Sequence, residues 1–429
     1  MMIGASAESA AAGGRQRRLA VACLTLLALA TTAGIVVPAG AGWDFANFYD
    51  TGRRVEAGQA ADLYHPERPI AGRPPQGTMA FWGTPLSGLY YVPLAWLPPG
   101  AALVAFKLQV TLALAASLLL VYRLYRRFAA EAEREQFLSR FCLLALLFQP
   151  LWTVYRTGGQ TTPTVLLLLV AALAWQTAGR SLAAAAAYVV AVTIKPALVL
   201  GLAFAGLFAG RRFLAGAAAI GAGTAALSVA LFGWELHFEL LAKLSFGFAL
   251  PKGWHYNSSL FVPIDEARAA LAARGAPAAE RAGWAVPLVM AAVAVTFALL
   301  VRRSRRRGWS GAARGHFALL LSLPFFLLVS RTVWEHYLML LLPLLAFLLA
   351  REARLPAVGR ALLAAIVLLS IGQNMVVVEL VRAHLPSASP AAQLAAALAK
   401  ALPLALTWAL LWRCREELLR GHDPSPAWS

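Results

Sequence analysis

Long unbroken apolar runs, separated by short basic turns, dominate this 429-residue chain. An apolar run of roughly 20 residues is long enough to cross a bilayer as a helix. Such runs predict spans near 19–38, 100–122, 140–155, 163–179, 181–194, 196–210, 213–233, 285–301, 315–330, 335–350, 359–380 and 396–413. The expected fold is therefore an all-α polytopic membrane protein, a bundle of about 12 transmembrane helices in a single domain over 1–429. The first run follows basic residues and precedes small ones, as a signal peptide would, but it exceeds the roughly 7–15 residues of a signal h-region and is read as a span.

Two runs are short. Segments 181–194 and 196–210 each fall below a bilayer crossing at about 1.5 Å per residue. Pro196 disfavours helical geometry at Lys195. A broken pair of half-spans meeting at Lys195 is expected, with the cation at its tip.

Charge then orients the bundle. The formal net charge of +18 would suggest nucleic acid in a soluble protein. Here the arginines lie between apolar runs, as membrane topology requires, so no nucleic-acid partner is expected. With twelve spans, RQRR (15–18), the 123–140 loop, Arg180, Arg211–Arg212, RRSRRR (302–307), REAR (351–354) and the RCREELLR tail fall on one side. That side is assigned to the cytoplasm. The richness in Ala, Leu and Arg suits a bacterium, so the expected location is a bacterial inner membrane. Cys23, Cys142 and Cys414 lie in or beside apolar runs without a CxxC pair, so neither a disulfide framework nor a thiolate metal site is expected.

Two long loops, 39–99 and 234–284, then face outward. The first opens on GWDFANFYDTGRR (42–54) and ends in FWGTPLSGLYYVPLAWLPPG (81–100), which is too interrupted to span and belongs in the interface. The second carries PKGWHYNSS (251–259). Short outer turns add RTGGQTTP (156–163) and SRTVWEHY (330–337). Asp44, Arg156, Gln160, Lys195, His255, Asn257, Arg331, Trp334, Glu335 and His336 thereby gather at one end of the bundle. Ionisable groups at membrane depth are costly and mark function by default.

A carboxylate among cations suits transfer from an anionic donor. Lys195, Arg331, His336, Arg156 and His255 are candidates to hold a phosphate. Asp44 is the candidate base that takes a proton from an attacking hydroxyl, with Asp50 as the fallback on a helix starting near Asn47. Gln160 and Asn257 can donate and accept, as sugar hydroxyls require, and Trp334 can stack on a sugar face. The Asp265–Glu266 pair resembles metal-binding carboxylates but is read as solvated loop, so no metal is expected. GxxxxGK[ST], HExxH and GxSxG are all absent, which leaves ATP hydrolysis, zinc proteolysis and serine hydrolysis without a motif. A secondary transporter or flippase of a lipid-linked or anionic substrate is the competing class, because broken helices suit transporters. It is weakened by polar residues at one face rather than in mid-span. A lipid A or polymer ligase of related build is a third reading.

Several stretches in order carry a resemblance. The acid after the first span leads to G-x-x-x-x-LY (Gly58 to Tyr64), TPL (84–86), GGQ (158–160), a lysine-proline (195–196) and WEHY (334–337). This order is similar to glycosyltransferase family 87, polytopic GT-C enzymes that include bacterial polyprenol-phosphate-mannose-dependent α-mannosyltransferases. The chain departs from the family at FWGTPLSGLYYVP (81–93), where many members carry FxYxP. The resemblance implies a GT-C-type bundle that uses a polyprenyl-phosphate-linked sugar donor and a lipid or glycan acceptor on the outer side of the membrane; no cofactor is expected. It implies Asp44 as catalytic acid residue, Gly159–Gln160 and Lys195–Pro196 as family motifs, and His336 as the histidine after the tryptophan. Tyr64 is expected on the sugar or acceptor side.

Overall fold

The computed structural model describes residues 3–36, 43–155, 159–248, 257–370 and 389–422. Among them the secondary structure is helical, with two isolated bridge pairs and no strand. The first part holds α1 (Ile3–Val36), α2 (Trp43–Glu56), α3 (Val92–Ala95), α4 (Pro99–Arg126) and α5 (Arg134–Leu147). The middle holds α6 (Thr162–Thr177), α7 (Ser181–Ile194), α8 (Val199–Phe208), α9 (Arg211–Phe248), α10 (Val262–Ala273), α11 (Ala278–Ala282) and α12 (Ala285–Arg305). The last part holds α13 (Gly311–Val329), α14 (Leu342–Leu349), α15 (Ala357–Ser370), α16 (Pro390–Arg413) and α17 (Arg415–Arg420).

Each apolar run read from the sequence lies wholly or partly in a helix, so the all-α membrane class holds. The count of twelve crossings does not follow. Six helices among the described residues are long and apolar enough to cross, and a seventh if Arg134–Leu147 and Gln149–Tyr155, bent by 65°, form one span. Five further apolar helices have 10–17 residues. At about 1.5 Å per residue they are shorter than a core of about 30 Å. The run ending at 233 does stop there: Gly233 has φ 77° and ψ 167°, a left-handed break that glycine adopts without steric cost, and the helix resumes on a new axis.

Helix α13 is the centre of the bundle, with 83% of its apolar window buried. The chain turns at 330–334 and returns through the 3-10 segment Glu335–Leu341 into α14, where Leu338 to Leu348 are all buried. This hairpin is apolar on every face because other helices surround it. Its turn therefore places SRTVWEHY at the end of the most constrained element in the protein.

The break expected at Lys195 is present. α7 ends at Ile194, Lys195 has φ −128° and ψ 89°, and Pro196–Leu198 form a 3-10 turn before α8. Pro196 supplies no N–H, so helical hydrogen bonding cannot run on through it. The carbonyl of Thr193 instead accepts from Thr84 Oγ1 at 2.8 Å. Thr84 also caps the 3-10 helix Pro85–Tyr91. The TPL segment of the loop is in this way fastened onto the end of α7.

Candidate functional site

Helix α2 is short and amphipathic, and starts at Trp43, four residues before the expected Asn47. Its apolar face packs on an aromatic wall. Phe48 stacks on Tyr91 at 4.9 Å, and Phe45 and Phe48 lie 5.9 and 5.6 Å from Phe106. Tyr49 donates its hydroxyl to the Leu97 carbonyl at 2.9 Å. Asp44 sits in the first turn of α2, where the helix dipole favours an acid.

The two acids of this helix have separate environments. Asp50 is buried and accepts the backbone N–H groups of Gln76 and Gly77, each at 2.6 Å, with Arg53 at 3.4 Å. Burial raises its carboxyl above the usual range, against the lowering effect of those amides and of Arg53. Asp50 thus holds the 76–77 loop against α2. Asp50→Asn is expected to cost about 1–2 kcal/mol of stability by weakening charge-assisted bonds. Transfer per folded molecule stays within a few-fold of wild type. Thermal unfolding followed by size-exclusion chromatography, with activity normalised to the folded peak, checks both.

Asp44 has no such anchor. Its charge acts on Lys195 and on Tyr337, from elements far apart in sequence. Asp44 and Lys195 do not form an ion pair, so their charged atoms stand more than 4.0 Å apart. The Lys195 ammonium lies over the Tyr337 ring, 4.5 Å from its centroid. His336 packs edge-on against Tyr337 at 4.9 Å and lies within the electrostatic reach of Lys195. The structure thus brings Asp44, Lys195, His336 and Tyr337 together. A lysine at membrane depth costs about 2.5–3.5 kcal/mol, and a desolvated cation–π contact returns about 2 kcal/mol. The ring offsets part of that cost and leaves the ammonium its full charge, which suits an anionic ligand beside a carboxylate.

Gly159–Gln160 borders the same wall. Gly159 has φ 117°, and a Cβ there would meet Phe106 at 2.9 Å. Gln160, the next residue, is buried at 5% exposure. The turn therefore sits behind the rings that carry α2. Gly159→Ala is expected to cost about 1–3 kcal/mol through backbone strain and to lower activity with stability, which paired thermal-unfolding and transfer assays would show.

Other candidates have structural partners. Arg331 Nη2 donates to Asp265 Oδ2 at 2.6 Å. This corrects the reading of Asp265–Glu266 as solvated loop: the pair lies on α10, Asp265 is tied to Arg331, and Glu266 is 4% exposed. Asn257 donates to the Arg331 carbonyl at 2.9 Å and accepts from the amides of Ser259 and Val333 at 3.0 and 2.9 Å. Its amide is a clasp between two chain segments, with one N–H left over. Trp334 bridges to Asn257 through backbone and starts the 3-10 turn that carries His336. Tyr64 is buried and donates to the Gly83 carbonyl at 3.0 Å, so its hydroxyl supports the outer loop. Arg156 and His255 lie outside the described residues. Among the described residues, no three His, Cys, Asp or Glu side chains group as metal ligands.

Tyr337 lies in WEHY, where the sequence alone assigns it no role. Its signal was adjacency to His336; its position under Lys195 depends on packing of the central hairpin against α7, which no local pattern encodes. Thr84 lies in TPL, and its contact with Thr193 crosses 109 residues.

Among known proteins, the model of glycosyltransferase family 87 matches residues 81–330, more than half of the chain. No curated protein and no solved structure matches.

Proposed function

The chain belongs to glycosyltransferase family 87 and is a membrane glycosyltransferase, and from that premise we propose a donor, an acceptor and a mechanism. The enzyme moves a hexose, mannose in the first instance, from a polyprenyl-phosphate carrier to a hydroxyl of a lipid- or glycan-linked acceptor. The reaction takes place at the outer face of a bacterial inner membrane. The observation that carries this reading is the placement of Lys195 within the electrostatic reach of Asp44 without an ion pair between them.

In this mechanism Asp44 accepts the proton of the acceptor hydroxyl as its oxygen attacks the anomeric carbon of the donor. The bond from that carbon to the phosphate oxygen breaks, and the phosphate leaves with the electron pair. Lys195 stabilises the charge that gathers on the leaving phosphate. His336 stands beside Lys195 and completes the phosphate side. Phosphate is a good leaving group, so no acid is required to protonate it. One carboxylate and a single displacement imply inversion at the anomeric carbon, in contrast to two-carboxylate retaining hydrolases.

The candidate residues Asp44, Lys195 and His336 sit at helix ends and turns, which favours transfer at a membrane face over transport through the midplane. Purified protein in lipid vesicles, given radiolabelled polyprenyl-phosphate mannose and an acceptor lipid extract, is expected to yield a labelled lipid or glycan product. Transfer from a nucleotide sugar with none from the lipid-linked donor would refute the proposed donor class.

A further inference from the structure

A second basic site lies at the other end of the bundle. Helices α8, α9, α12 and α13 border an open cavity of about 440 Å³. α8 leads away from the Lys195 break, and α13 leads toward the Arg331–Tyr337 turn. Their 10 and 19 residues span about 15 and 28 Å, so the cavity is well separated from Lys195.

Arg211 at the start of α9, Arg305 at the end of α12 and Arg314 in the first part of α13 line this cavity. None of the three pairs with a carboxylate among the described residues, whereas neighbouring Arg307 pairs with Glu416 at 3.0 Å. Among the described residues, no acidic one lines the cavity. Arg305 lies over the Phe208 ring at 5.7 Å, which holds its guanidinium at the rim. Three like charges around one cavity repel each other, and an anion between them converts that repulsion into attraction. The apolar lining continues outward: Leu207 and Leu214 are 67% and 46% exposed on the flank of a membrane-embedded bundle. A soluble anion would have no use for that flank.

We propose that this cavity binds the phosphate headgroup of an anionic membrane lipid, with its chains lying along Leu207 and Leu214. Basic pockets between spans are suited to such headgroups, and the volume lies within the range of about 300–1,000 Å³ seen for ligand clefts. The site is separate from the proposed reaction at Asp44, and lipid binding can be measured without a transfer assay.

The test uses full-length protein in neutral detergent, titrated with phosphatidylglycerol and with a polyprenyl phosphate, and followed by native mass spectrometry. The triple variant Arg211→Gln/Arg305→Gln/Arg314→Gln is expected to bind on the order of 100-fold more weakly to whichever lipid occupies the site, about five-fold per charge. The control Arg212→Gln/Arg302→Gln/Arg306→Gln alters charges outside the cavity lining and is expected to change binding less than about five-fold. Equal losses in the two triples would overturn the proposal in favour of diffuse surface charge. Inorganic phosphate that stabilises the protein as well as either lipid would overturn the lipid assignment. Should the cavity triple not fold, wild-type protein crosslinked to a diazirine phosphatidylglycerol decides the matter. Adducts within 206–214 or 301–318 support the site, and adducts confined to other regions overturn it.

Discussion

Replacing Asp44 by asparagine is expected to slow sugar transfer by about 10²–10⁴-fold, the usual contribution of a general base. The substitution keeps shape and removes the proton acceptor. Among the described residues, Asp44 makes no side-chain hydrogen bond that holds the outer loop, whereas Asp50 holds it through two amides. Expression and thermal stability should therefore match wild type, with the KM for the donor changed less than kcat. The pair of isosteric variants separates the roles: Asp44→Asn loses rate and keeps stability, and Asp50→Asn loses stability and keeps rate. Initial-rate assays on purified, folded protein decide between them. If Asp44→Asn transfers sugar at the wild-type rate, Asp44 is not the base.

Lys195→Ala is expected to lower kcat by about 10²–10³-fold, the scale of one preorganised group facing transition-state charge, and to raise the donor KM while the acceptor KM stays constant. The side chain also rests on Tyr337, so some loss of packing accompanies loss of charge. Lys195→Met keeps most of the volume and isolates the charge, and is expected to be nearly as inactive. Lys195→Arg keeps the charge on a broader, planar head and should restore part of the rate. Full activity in Lys195→Met would remove the ammonium from the mechanism.

Much of this arrangement was legible in the sequence for identifiable reasons. Apolar runs declare membrane helices because the bilayer forbids unsatisfied backbone. Lys195–Pro196 declared a break because proline cannot continue the hydrogen-bond ladder. The end of the run at 233 coincided with Gly233, whose backbone leaves the helix there. The number of crossings was less legible, since helices of 10–17 residues are ambiguous between spans and partial insertions.

Side-chain pairing was the least legible layer. Arg331 reads as a phosphate ligand by position, but Asp265, 66 residues away, engages it. Asn257 reads as a sugar ligand by chemistry, yet it clasps the backbone at Ser259, Arg331 and Val333. Both contacts depend on how α10 meets the 330–334 turn, which no local spacing records. The same holds for Arg211, Arg305 and Arg314. Each belongs to a basic run that serves as a topology signal, and helix packing alone gathers them around one cavity.

The central claim is that Lys195 receives the donor phosphate while Asp44 faces the attacking hydroxyl. A cryo-EM structure of the full chain with a non-transferable polyprenyl-phosphate sugar tests it most directly. The expected result places a phosphate oxygen within about 3 Å of Lys195 Nζ, with the anomeric carbon turned toward Asp44. A donor whose phosphate sits away from Lys195, with its sugar out of reach of Asp44, would contradict the account.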